Sequence, residues 1–121
     1  MILVDTSIWI DHLRKGHPTL VDLLLVGSVL GHPWVTGEIA LGRLTDRRQV
    51  LGLLVNLPSS TVASESEVLL LIERQHLAGS GIGHVDTQLL ASTCLTPDAQ
   101  LWTNDKRLAE VAVRLGVAAD P

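Results

Sequence analysis

The first seven residues restrict the fold most: Ile2-Leu3-Val4, a short apolar run rich in β-branched residues, leads at once into Asp5-Thr6-Ser7, residue types that favour helix N-termini. A strand passing directly into a helix is the expected result. The pattern recurs. Short strands are expected around Val29 to Val35, where Gly31 and Pro33 interrupt the run, at Val62, and at Leu101-Trp102-Thr103. Helices are expected up to about Leu13, over Leu20 to Val26 after the His17-Pro18 break, from Thr36-Gly37 through Glu38, and over Arg47 to Leu57. Further helices are expected over Glu65 to Leu77, over Asp86 to Leu95 after the loop Gly79 to Gly83, and after Asp105. In the last one Leu108, Val111, Ala112 and Leu115 recur at the spacing of one helical face.

Short apolar strands separated by helices point to an α/β domain, a parallel sheet covered on both faces and joined by right-handed crossovers. At 121 residues, with no linker, repeat or low-complexity tract, residues 1–121 are expected to form one domain. Mean hydropathy is +0.33, but the longest aliphatic runs, such as Val68 to Ile72, fall far below the roughly 18 residues that span a bilayer. The opening MILVDTS has no basic region and no small-residue cleavage site, so a cytoplasmic protein is expected. The lone Cys94 sits in the apolar stretch LLASTCL and reads as a buried thiol.

A formal charge of −4 argues against a broad basic nucleic-acid face, and the absence of Phe and Tyr argues against an aromatic stacking platform. Any contact with nucleic acid is expected to be local and assisted by metal. Open parallel sheets gather ligands beyond the carboxyl ends of their strands. Asp5, Glu38 and Asp105 are expected at such junctions, and Asp86, which follows a glycine loop instead of a strand, is expected to enter from a helix N-terminus; the four are separated by 33, 48 and 19 residues. Each alone also fits helix capping or a favourable helix-dipole position. Convergence would change the energetics, because two carboxylates about 4 Å apart repel by roughly 4 kcal/mol at an effective dielectric near 20. A converged quartet therefore calls for a cation or proton uptake, and all-oxygen ligation favours Mg²⁺ or Mn²⁺.

In this order, Asp5 in MILVDTS, Glu38 in TGEIALGRL, Asp86 in GIGHVDTQLLA and Asp105 in LWTNDKRL resemble the acids of the PIN-domain VapC toxins, along essentially the whole chain. The resemblance implies a three-layer α/β/α fold with a central parallel sheet and a metal-dependent endoribonuclease. It also implies neutralisation by a VapB-type antitoxin and a homodimer. Asp5 and Asp86 are implied as direct metal ligands, with Asp105 and Glu38 completing the site directly or through water, and Thr103 supplies the hydroxyl of the T-x-D element. Asn104 fills the variable middle position, where it is read as a cap of the last helix, and Thr6 and Ser7 are read as capping residues or as partners of a metal water. The implied chemistry is phosphodiester hydrolysis by activated water, without a covalent protein intermediate.

Other signals read as structural. The five histidines lack the i, i+4 pair of a helical zinc site and are expected on the surface or in loops, with His84 a possible substrate contact. Lys106, Arg107, Arg43, Arg47 and Arg48 fit solvated faces, phosphate contacts or an acidic partner. Leu23 to Val26 and Leu53 to Val55 are more apolar than one buried face requires, which suits core burial or an interface. Two other functions compete: a degenerate, non-catalytic PIN-like binding module, and a magnesium-binding phospho-receiver domain. The receiver reading needs an acceptor Asp after a central strand, and Leu53 to Ala63 contains no acid.

Overall fold

In a computed structural model describing residues 1–121, Ile2–Val4 forms strand β1 and passes straight into helix α1 (Thr6–Lys15). Helix α2 (Pro18–Leu25) then leads to β2 (Val29–Leu30), followed by α3 (Pro33–Ala40), α4 (Arg47–Val55), α5 (Glu65–Arg74), α6 (His84–Leu95), β3 (Gln100–Trp102) and α7 (Lys106–Arg114). The three strands form one parallel sheet in the order β2-β1-β3, with Leu3 beside Leu30 and Leu101. This is the expected α/β/α architecture around a central parallel sheet. No helix is long and apolar enough to cross a membrane.

The centre of the sheet is buried because apolar residues occupy its inner positions: Leu3 and Val4 are fully buried and Leu101 nearly so, while Gln100 at the start of β3 is exposed. Ile8 and Leu20 from α1 and α2, and Leu89, Leu90 and Leu108 from α6 and α7, join the same core. Burying each such Leu or Ile contributes roughly 2 kcal/mol. Leu108 and Ala112 are buried and Val111 and Leu115 half-buried, as the spacing in α7 predicts.

Two strand expectations fail. Residues 33–35 are helical, because Pro33 occupies the first turn of α3, where its missing N–H costs nothing, and the His32 side chain accepts from the Trp34 amide. Glu38 therefore lies near the end of α3 and does not open a helix. Val62 belongs to no strand, and the only pairing nearby is the isolated bridge Gly31–Ser59. Cys94 is exposed, since α6 turns it away from its buried neighbours Ser92 and Thr93. Partial shielding still raises its thiol pKa by desolvation. His32 is also not a surface residue: it is 2 % exposed.

Candidate metal centre

The carboxyl ends of β1 and β3 lie side by side, with the Asp5 amide donating to the Trp102 carbonyl at 2.9 Å. That pairing brings Asp5 and Thr103 together. Asp5 is buried, and its carboxylate accepts from three donors: the Thr6 amide (2.7 Å), the Ser7 hydroxyl (2.9 Å) and the Thr103 hydroxyl (2.6 Å). Thr103 in turn accepts from the Asp105 amide at 3.0 Å. One hydroxyl thus ties Asp5 to the segment carrying Asp105. Asp105 is the N-cap of α7, accepting from the Leu108 amide at 2.9 Å, so capping and a site role coexist in one carboxylate.

Glu38 reaches the same region from α3, where its carboxylate accepts from the Thr6 hydroxyl at 2.7 Å. Thr6 and Ser7 therefore do not cap α1. Asp5 is the N-cap, and the two hydroxyls orient Glu38 and Asp5. Asn104 does not cap α7 either: its side-chain amide donates to Asp11 at 2.8 Å, and its backbone amide donates to the Ser7 hydroxyl.

Asp86, in the first turn of α6, has no such donor. Burial pushes its pKa up to about 6, and the charges of Asp5, Asp105 and Glu38 push in the same direction. All four predicted acids therefore share one electrostatic site, and every donor to Asp5, Glu38 and Asp105 is neutral. No three His, Cys, Asp or Glu side chains stand close enough to hold an ion among them. The acids thus act on Asp86 through their charge, while no three of them stand close enough to hold an ion together. Mg²⁺ commonly binds through one or two carboxylates and retains several waters, so this all-oxygen, uncompensated set fits such an ion.

The largest cavity lies elsewhere. One of about 450 Å³ between α3 and α4 touches none of the acids, whereas one of about 340 Å³ between α1 and the end of α3 includes Glu38. Two residues before Asp86, His84 meets Trp34 edge to face at 5.5 Å between ring centres, a contact between α3 and the start of α6. Sequence reasoning missed the orienting roles of Thr6 and Ser7. Their signal was the run of hydroxyls immediately after Asp5.

No family model matches the chain. Ribonuclease VapC32 of Mycobacterium tuberculosis, strain H37Rv, is 48% identical over 118 residues, covering 98% of this chain and 95% of the relative. The same protein from strain CDC 1551 / Oshkosh matches to the same extent.

Proposed function

The chain belongs to the VapC-type PIN-domain ribonucleases, and from that premise we propose that residues 1–121 act as one PIN domain, an endoribonuclease toxin that hydrolyses RNA phosphodiester bonds with the aid of Mg²⁺. The observation that carries the reading is the field around Asp86, set by burial and by Asp5, Asp105 and Glu38. Asp5 and Asp86 are the residues to hold the ion directly, and Asp105 and Glu38 complete the site directly or through water. Mn²⁺ suits the same donors. A bound ion would supply positive charge at the scissile phosphate and favour activation of water.

The protein's own groups prepare the site. Thr103 and Ser7 fix the Asp5 carboxylate, Thr6 fixes Glu38, and the α7 N-terminus fixes Asp105. Asp86 is left to exchange a proton near neutral pH until a cation offsets its neighbours. As partners we propose a VapB-type antitoxin and a second copy of the chain in a cytoplasmic setting. Support comes from the exposed apolar side chains Leu25, Val26 and Val55, which fall in the segments richer in apolar residues than one buried face needs.

The test is incubation of purified, antitoxin-free protein with total cellular RNA, with Mg²⁺ or with EDTA, alongside Asp5→Asn and Asp86→Asn. Discrete fragments that require both the metal and the acids are expected. Intact RNA throughout, from folded protein, would overturn the nuclease reading in favour of a non-catalytic binding module.

A further inference from the structure

Gly81 adopts φ +85°, and the space beside its Cα is taken up by Arg107: a methyl built there would overlap the guanidinium Nη1 and stand 3.0 Å from Cζ and 3.1 Å from Cδ. Gly79 in the same loop also has positive φ, +75°, yet a methyl there would meet nothing within 4 Å. One glycine of this loop therefore gives room to one arginine. Arg107 lies two residues after Asp105, and Gly81 five residues before Asp86, so their contact joins the two segments that bring those acids to the site.

The position of the charge is unusual. Arg107 lies in the first turn of α7, whose N-terminal dipole favours anions and disfavours cations. It is exposed, and the donors to Asp5, Glu38 and Asp105 are all neutral groups, so its charge is not spent on those carboxylates. A cation placed against the local helix field two residues from Asp105 is accounted for by a polyanionic ligand that approaches the carboxyl ends of β1 and β3. Resting on the RNA-cleaving reading, we propose that Arg107, which the missing side chain of Gly81 makes room for, is a substrate-positioning residue that grips an RNA backbone phosphate next to the one cleaved. The guanidinium fork suits a phosphate, and such contacts set register without reading sequence.

The test compares wild type with Arg107→Gln, Gly81→Ala and Gly79→Ala on a single-stranded oligoribonucleotide that the wild type cleaves. Cleavage kinetics and the salt dependence of binding, measured in an Asp5→Asn background, are both read. Arg107→Gln is expected to raise KM about tenfold with kcat little changed, and to reduce the log-affinity against log-salt slope by about 0.7, the loss of one phosphate contact on a single strand. Gly81→Ala, checked for folding by its melting curve, is expected to reproduce both effects by displacing Arg107. Gly79→Ala imposes the same backbone strain without meeting Arg107 and is expected to behave as wild type. An unchanged KM and slope in Arg107→Gln, or equal effects from the two glycine variants, would overturn the proposal while leaving the nuclease reading intact. A wild type that neither binds nor cleaves RNA would overturn both.

Discussion

The Thr103 hydroxyl donates to Asp5 Oδ2 at 2.6 Å, joining residues 98 positions apart at the ends of two adjacent parallel strands. The same oxygen accepts from the Asp105 amide, so one threonine sets the relative placement of two site acids. A hydroxyl in this role acts on the site through the carboxylate it holds.

Thr103→Val keeps the shape and removes both hydrogen bonds. Loss of an outer contact of this kind typically costs about 10- to 100-fold in metal affinity or activity. The expected result is a Mg²⁺ titration of RNA cleavage displaced to higher concentration by about that factor, with wild-type behaviour retained in Thr103→Ser. A Thr103→Val variant with an unshifted Mg²⁺ midpoint would show that Asp5 needs no such support.

The Asp86 pKa is raised from 3.8 to about 6 in the folded, metal-free protein. Between those values the folded state holds a proton that the unfolded state has lost, so ionisation of Asp86 lowers stability as pH rises through that window. Asp86→Asn is expected to remove this component. Melting curves in EDTA at several pH values should show a shallower decline towards pH 7 in the variant; identical pH profiles would contradict the shared acidic field. Cation binding should correspondingly strengthen as pH rises through about 6.

Much of this centre was legible because its acids and Thr103 sit at chain positions marked by local chemistry: an apolar run, a capping residue, then helical periodicity. β1, β3 and α7 follow that grammar closely. Glu38 was found in the right region for the wrong local reason, since Pro33 begins the helix earlier and Glu38 meets the site through Thr6. The contacts that orient the acids were harder to foresee. Thr6, Ser7 and Asn104 each offered a local capping role, and only the parallel pairing of β1 with β3 puts Asn104 beside Ser7. The environment of His32 was hidden for a different reason. Helix α6 is buried over Thr87 to Thr93, so its polar residues could not be assigned to a solvent face by periodicity.

Two of those polar residues carry the last prediction. Ser92 Oγ donates to Gln88 Oε1 at 2.6 Å and lies 2.9 Å from His32 Nε2 and 3.1 Å from the Ala63 amide that donates to it. His32 Nδ1 accepts from the Trp34 amide, so the neutral ring carries its proton on Nε2 and donates it to Ser92. Ser92→Ala would strip partners from three buried groups at once, at a cost of about 3 kcal/mol or more. Urea denaturation should show that loss, and a change under 1 kcal/mol would mean that the network relaxes around the gap. Burial, the largest cause, lowers the His32 pKa below 6.5, so the unfolded chain takes up the proton first. Stability from this site is therefore present above pH 6.5 and lost as pH falls below it, the opposite sign to Asp86. Replacing His32 with Gln should flatten the acid side of the stability profile, whereas Asp86→Asn should flatten its rise towards acid, so the two opposing slopes can be separated in the same set of melting curves.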